Sequence, residues 1–443
     1  MARLFGTDGI RGVANVDLKP TLAYALGRAT AHRLAGPGGA IVVGQDTRRS
    51  GDMFVAAITA GAASLGADTH VVGVVPTPAL AFLARSGPFG AGIMVSASHN
   101  PADDNGLKVL DSDGLKLDDA IEEELEQLIW REGELAGVGN AAIGRRIEAA
   151  AAVAAYRDHR LAMARSIDAS GLTVVLDGAN GSGAVLGADV LGATGAHLEA
   201  IHVAPDGVNI NVRCGATDPA SLAAAVIARG ADIGFALDGD ADRLIAIDAA
   251  GTVVDGDRIL GILALDRLAR GALPGGLVVS VLSNGGLQAA VERAGGAVVR
   301  TPVGDKYILE GMQLSGATLG GEKSGHVIVM EHTTSGDGIV TALEVLRVMR
   351  TRQAPLAALA GEIPLLPQQQ RAVRARHKDQ WEGDAVLGRA IAEATARLGD
   401  RGRILVRPSG TEPALRVMVE GEDESLVLEL ADALAALAGE RLH

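Results

Sequence analysis

Apolar runs of strand length recur along the chain, each closing in glycine and polar residues: 40–46, 172–180, 233–242 and 277–285. A stretch rich in Ala, Leu and Val, long enough for a helix, follows each of them. A strand buried on both faces reads as a continuous apolar run, so this alternation predicts βα units built on parallel sheets. Ligands of such sheets bind beyond the carboxyl ends of the strands, which places the expected chemistry just after each run. The tail reads differently. Residues 403–406 and 414–420 predict strands, and 425–442 predict an amphipathic helix with Leu426, Leu430, Leu434 and Leu437 on one face.

The chain has 443 residues, too many for one ordinary core. At roughly 150 residues per domain, three or four domains are expected. Joints near 145–155 and 250–256, and a break at 363–370 where Pro364, Pro367, Gln368, Gln369 and Gln370 interrupt the pattern, divide it into 1–150, 151–252, 253–365 and 366–443. The expected class is α/β: three βα-type domains with mixed sheets and a smaller C-terminal α+β domain.

Composition narrows the function classes. Apolar residues make up 48 % and charged residues 21 %, as in a folded soluble protein, and 2 % aromatics means aliphatic cores. The longest uncharged stretch, 271–291, is interrupted by glycines, Pro274, Ser280, Ser283 and Asn284, which excludes it as a membrane span. No signal-peptide pattern opens the chain. Cys214 is the only cysteine, so no internal disulfide forms; a reducing cytoplasm is expected, and Cys214 is not expected to be catalytic. A net charge of −14 argues against nucleic-acid binding. An anionic substrate would need arginines and lysines gathered locally.

Four polar segments carry candidate chemistry. The run 233–243 delivers Asp238, Asp240 and Asp242 at alternate positions of one loop. Carboxylates that close repel one another unless a cation neutralises them, and a hard ion such as magnesium suits oxygen-only ligands. An EF-hand is excluded because Arg243 and Ala249 stand where that loop needs glycine and glutamate. A solvated acidic turn is the bland alternative. In 92–101 an apolar run ends in Ser96, Ser98, His99 and Asn100, a hydroxyl-histidine grouping that fits either a nucleophile or an ordinary turn. Residues 104–108 add a turn and one cation, Lys108. Segment 407–413, Arg-Pro-Ser-Gly-Thr-Glu-Pro, combines arginine, hydroxyls and backbone N–H groups into a phosphate cradle, or else closes a plain hairpin. Segment 320–326 offers Glu322 and Ser324 to sugar hydroxyls. A strand ending in Asp-x-Asp is also how haloacid-dehalogenase-type phosphotransferases present an aspartate nucleophile. That makes Asp238 a rival to serine, weakened by the third carboxylate at Asp242.

Taken in this order, the four segments resemble the α-D-phosphohexomutase superfamily of phosphoglucomutases and phosphomannomutases, over essentially the whole chain. The opening Leu-Phe-Gly-Thr-Asp-Gly-Ile-Arg-Gly-Val-Ala-Asn at 4–15 resembles the branch acting on glucosamine phosphates. Lys323 departs from that branch, which usually has glutamine there, and Lys306 stands where arginine is common. The resemblance implies four domains around a central cleft. Ser98 becomes the phosphorylated serine, and its phosphoryl oxygen completes a magnesium site with Asp238, Asp240 and Asp242. His99, Asn100 and Lys108 surround it, Lys108 as a proton carrier, with Arg11 and Arg243 as catalytic cations. Glu322, Ser324 and Lys306 bind the sugar, and His326 serves as acid or base. Arg407, Ser409, Gly410 and Thr411 hold the second phosphate, supported by Arg416.

The implied activity interconverts glucosamine 6-phosphate and 1-phosphate through a hexosamine 1,6-bisphosphate that is both intermediate and activator. Mannose or glucose phosphates are the alternative substrates, and a sugar-phosphate sensor without chemistry is the alternative of another class. A small-molecule sugar phosphate as ligand, a homodimer, no nucleic acid, no membrane, and a place on the path to UDP-N-acetylglucosamine complete these expectations.

Overall fold

The computed structural model describes residues 4–6, 8–409 and 413–443. Its strands form four sheets, each made of strands consecutive in sequence. The first contains β1 (Ile10–Val13), β2 (Ala40–Gln45), β3 (Asp68–Val74), β4 (Ala91–Val95), β5 (Asp104–Asp111) and β6 (Arg146–Glu148), in the order β1-β5-β4-β2-β3-β6. The second contains β7 (Thr173–Asp177), β8 (His197–Ile201), β9 (Ile233–Leu237), β10 (Leu244–Asp248) and β11 (Val253–Val254), ordered β11-β10-β9-β7-β8. The third contains β12 (Leu277–Ser280), β13 (Val298–Thr301), β14 (Leu319–Gly321) and β15 (Val327–Val329), ordered β13-β12-β14-β15. The last is the antiparallel set β16 (Gln368–Arg374), β17 (Gly402–Pro408) and β18 (Ala414–Gly421), with β18 central.

One device recurs in the first three sheets. Parallel strands form the centre, and then one of them turns back into an antiparallel neighbour: β4 into β5, β9 into β10, β14 into β15. The three polar segments at 96–103, 238–243 and 322–326 are the loops of these turns. The strands β4 and β9 are buried at every position, which is why they read as continuous apolar runs. The class is therefore α/β with mixed sheets and a smaller α+β C-terminal domain.

The apolar pattern also explains how the layers join. The helix Gly338–Arg352 is buried from Gly338 to Leu346, on all sides rather than along one stripe. It packs between the second and third sheets, so Leu176 and Phe235 share one core with Leu277 and Val327. The first and last sheets have cores of their own. In the tail, the helix Glu424–Arg441 buries Leu430 and Leu434, with Leu426 and Leu437 packed against the same core. Aspartates cap helix starts: Asp255, Asp337, Asp384 and Asp423 each accept backbone N–H groups of the first turn. Among the described residues, no helix is long and apolar enough to cross a membrane.

Two local expectations are corrected. Asn105 and Gly106 lie inside β5 rather than in a turn. The Asn105 side chain bonds Ser50 and the N–H of Gly106, and a Cβ at Gly106 would stand 2.4 Å from the carbonyl oxygen of Ser96, so glycine is required by close packing. The glutamines at 368–370 open β16, whose half-buried edge position tolerates polar side chains.

Candidate active site

The loop after β4 and the loop after β9 meet face to face. Ser98 Oγ donates to Asp238 Oδ2 at 2.5 Å and lies 3.2 Å from His99 Nδ1. Ser98, Asp238 and Asp240 are fully buried, and Ser98 takes a left-handed φ of +52°, unusual for a residue with a side chain. Ser96 instead points its hydroxyl at Asp46. Glycine at 239 lets the loops touch, because a Cβ there would come 2.5 Å from Ser98 O.

The carboxylates of Asp238, Asp240 and Asp242 each bring an oxygen within 4.8 Å of the others. Burial, then the charges of Asp242 and Asp240, push Asp238 well above the usual carboxyl range. The Oδ1 atoms of Asp240 and Asp242 are buried with no hydrogen-bond partner. Crowded, dehydrated carboxylates with unused lone pairs fit a hard divalent cation. A second grouping, Asp177, His202 and Cys214, does not. Both oxygens of Asp177 accept backbone N–H groups, of Ala179 and Gly215, and burial with Asp177 and Asp218 pushes the Cys214 thiol up to about 12.

Cations ring the triad. Lys108, 1 % exposed, reaches Asp240 at 2.7 Å, Asp8 at 3.2 Å and Asp242 at 3.6 Å. Its burial opposes the charge, but these three carboxylates hold its pKa above the ordinary lysine value. Arg11 donates to Asn100 Oδ1 at 2.9 Å and pairs with Asp8. Arg243 sends its backbone N–H to Asp238 Oδ1. Burial, then Arg243 and Arg11, lower His99 to about 4, so its ring is neutral.

His326 lies 3.6 Å from Asp242 Oδ2 through Nδ1, and its Nε2 accepts the N–H of Gly336 at 3.0 Å. The Gly336 N–H thus fixes the ring through Nε2 and leaves Nδ1 facing Asp242.

The sugar and phosphate segments are more open. Glu322 accepts the N–H of Gly304 at 3.1 Å, and its charge acts on both Arg243 and Arg407, which sets it between the triad and the tail domain. Ser324 Oγ is buried without a hydrogen-bond partner. Lys323 bonds Gln368 Oε1 at 2.8 Å, tying its loop to β16. Lys306 departs from its expected place at the sugar: its ammonium pairs with Asp119 and Glu122 across the junction with the first domain. Arg407 and Arg416 stand directly opposite on β17 and β18. Burial, then Arg416, lower Arg407 below the ordinary arginine value. Ser409 is buried, and its carbonyl accepts from Lys378. Gly410 and Thr411 lie outside the described residues.

Several site residues were not singled out from the sequence. Thr77 bonds Asp240 through its hydroxyl at 2.6 Å and its N–H at 3.0 Å. Asp8 gathers Arg11, Lys108 and Lys116, and Lys116 also pairs with Asp305. Thr77 and Asp46 sit just past the ends of β3 and β2, where the rule for parallel sheets could have found them.

Comparison with known proteins covers the whole chain. Residues 2–136, 154–251 and 255–365 match the phosphoglucomutase/phosphomannomutase alpha/beta/alpha domains I, II and III, and 370–437 match the C-terminal domain of the same family. A phosphoglucosamine mutase of Moorella thermoacetica is 50 % identical over 442 residues, covering 99 % of this chain and 98 % of that one. One from a Nocardioides species is 47 % identical over 450 residues, covering 100 % of both. Among solved structures, a phosphoglucomutase/phosphomannomutase family protein from Burkholderia thailandensis superposes with a TM-score of 0.83 at 26 % identity, covering 100 % of this chain and 99 % of that one.

Proposed function

Because the chain belongs to the phosphoglucomutase/phosphomannomutase family, we propose that it is an isomerase interconverting glucosamine 6-phosphate and glucosamine 1-phosphate, working through phosphorylated Ser98 and a glucosamine 1,6-bisphosphate. The observation that carries the chemistry is the 2.5 Å contact between Ser98 Oγ and Asp238 inside a buried set of carboxylates and cations.

Asp238, Asp240 and Asp242 would hold magnesium, with a phosphoryl oxygen on Ser98 completing the set. When bound, the ion neutralises charge on the phosphoryl oxygens being transferred. In the first half-reaction the sugar 1-hydroxyl oxygen attacks phosphorus on phosphoserine 98. The O1–P bond forms, the Oγ–P bond breaks, and the hydroxyl proton ends on Oγ. The bisphosphate then turns over in the cleft. Ser98 Oγ attacks the 6-phosphoryl group, its proton ends on O6, and the 1-phosphate leaves.

Transfer of this kind depends on positioning and on neutralising oxygen charge. Lys108 and Arg11 supply fixed positive charge at the reacting end, and His326 orients Asp242. Glu322 and Ser324 bind sugar hydroxyls, while Arg407, Arg416 and Ser409, with Gly410 and Thr411, hold the phosphate that is not reacting. The resemblance further supports a cytoplasmic homodimer, which sedimentation would check.

Radiolabelling tests the nucleophile. A serine phosphomonoester resists hydroxylamine, whereas an aspartyl phosphate is cleaved by it. The expected phosphoenzyme is resistant, its label maps to the peptide holding Ser98, and Ser98→Ala loses both label and turnover. Label recovered on Asp238 would overturn the proposal. Turnover of glucosamine 6-phosphate above the mannose and glucose 6-phosphates tests the substrate.

A further inference from the structure

Behind Ser98 lies a guanidinium that hydrogen-bonds to none of the three clustered aspartates. Arg48 is 2 % exposed and aims both terminal nitrogens at the serine loop and its junction with β5. Its Nη2 donates to Ser98 O at 3.0 Å and Asn100 O at 2.8 Å, and its Nη1 donates to Asp104 O at 2.9 Å and to Pro101 O. Its Nε bonds Asp46 Oδ2 at 2.9 Å. The same Asp46 oxygen accepts Ser96 Oγ at 2.6 Å, and Ser96 Oγ accepts the backbone N–H of Ser98 at 2.9 Å.

The contacts close a ring around one residue. From the N–H of Ser98 the path runs through Ser96, Asp46 and Arg48 and returns to the carbonyl of Ser98. A second donor reaches the same two carbonyls from the neighbouring domain: Asn211 Nδ2 bonds Ser98 O at 2.9 Å and Asn100 O at 3.1 Å. The carbonyl of Ser98 is therefore fixed from outside the loop, and its N–H is fixed by Ser96, whose hydroxyl is itself held by Asp46. This holds a serine in a left-handed conformation that sterics disfavour. A lysine could not replace Arg48 here, because one ammonium cannot span carbonyls presented to a planar fork.

Resting on the phosphoserine reading, we propose that Arg48 is the positioning residue of the phosphoryl-transfer step: with Asn211 it locks the backbone of Ser98 so that Oγ faces Asp238 in both half-reactions. Ser98 must serve first as leaving group and then as attacking oxygen, and a pinned backbone presents the same oxygen to both. Arg48 contacts no substrate. Its loss therefore acts on the rate of transfer and leaves substrate affinity in place.

The test compares Arg48→Lys, Asn211→Ala and the double variant in the full-length enzyme, with thermal melts as a control on folding. Misplacement of a reacting atom by about an ångström lowers rates on the order of 10²-fold. The expected result for Arg48→Lys is a kcat reduced by about that factor, with KM for glucosamine 6-phosphate within about twofold of wild type. Asn211→Ala should lower kcat less, again without moving KM. Because both side chains hold the same carbonyls, the double variant should lose less than the product of the two single losses. The ³¹P resonance of phosphoserine 98 should shift in each variant.

Should Arg48→Lys fail to fold, Asn211→Ala with its kcat, KM and ³¹P readouts decides alone. A labelled wild-type Ser98 together with unchanged kcat in the folded variants overturns the positioning role and leaves the phosphoserine reading intact, as does a loss expressed only in KM. A wild type that carries no label at Ser98 overturns that reading, and this role with it.

Discussion

The two ends of the cleft are built on opposite terms. At the reacting end Ser98, Asp238 and Asp240 are fully buried, and contacts from two domains tie them: Thr77 to Asp240, Lys108 to Asp240, Asn211 to Ser98. At the recognition end Glu322, Lys323, Ser324, Arg407 and Arg416 are only half-buried. The ties between the third and fourth domains gather at a joint beside the cleft, where Arg403 bonds the carbonyls of Val281 and Ser283, and Glu420 accepts the N–H of Gly285. The contrast fits the proposed chemistry. Phosphoryl transfer needs a geometry set in advance, whereas a bisphosphate that must turn over needs contacts that can be released and remade.

Removing a charge at the reacting end should have the largest effect. Asp240 holds Thr77 and Lys108 through one oxygen, and its other oxygen is buried with no hydrogen-bond partner. Asp240→Asn should lower kcat by at least about 10²-fold and weaken magnesium binding, read by turnover and by calorimetric metal titration. Near-normal turnover would show that the buried end is not where transfer is controlled.

Next comes Arg407→Ala at the open end. Loss of a charge-assisted contact of about 1.5 to 3 kcal/mol should raise KM by about 10- to 100-fold and leave kcat less affected. The same change relieves the repulsion from Arg416, so the melting temperature should hold or rise. Normal calorimetric affinity for the 6-phosphate would remove Arg407 from the cradle.

Glu322→Gln should depress glucosamine, mannose and glucose phosphate turnover in parallel, by about tenfold, because it would contact hydroxyls common to them. A loss confined to glucosamine 6-phosphate would mean that Glu322 reads the amino group.

The smallest effect on turnover is expected at Asp257, which stands beside the Lys323 loop but is not among the residues proposed to bind metal, sugar or phosphate. Burial, then Asp255, raise its carboxyl from 3.8 to about 6, with Lys323 opposing. The native state then holds this proton more tightly than the unfolded state. Stability from this group is full below about pH 4, falls as pH rises toward 6, and is lost above it, a difference of up to about 3 kcal/mol. Asp257→Asn should flatten the melting temperature between pH 4 and 6 and raise it at pH 7.5, with turnover unchanged. A variant as pH-sensitive as wild type would place the titration elsewhere.

The split also explains what could be read from the sequence. Each polar segment is a contiguous cluster closing a hairpin, so its chemistry is local and visible, as with Asp238, Asp240 and Asp242. The supports of those loops are single residues far apart in the chain. Arg48 reaches Ser98, and Asp46 reaches Ser96, only when β2 and β4 pair, while Thr77 and Asn211 reach Asp240 and Ser98 only when the first two sheets meet. Lys306 marks the converse case: a cation at a fitting position along the chain turned to Asp119 and Glu122 instead of the cleft. The strand β16 was hidden because an edge strand needs no apolar alternation to be held by β18.

The placing of β1 has a consequence for synthesis. Ile10–Val13 pairs with β5, Arg11 lying opposite Gly106, so the strand that brings Arg11 to the reacting end waits for one made much later. At roughly 5 to 20 residues per second, that wait on the ribosome lasts about 5 to 20 s. Throughout it Ile10–Val13 has no strand to pair with, and the first domain is a nascent chain with an open sheet edge, the stage at which a chaperone has most to protect.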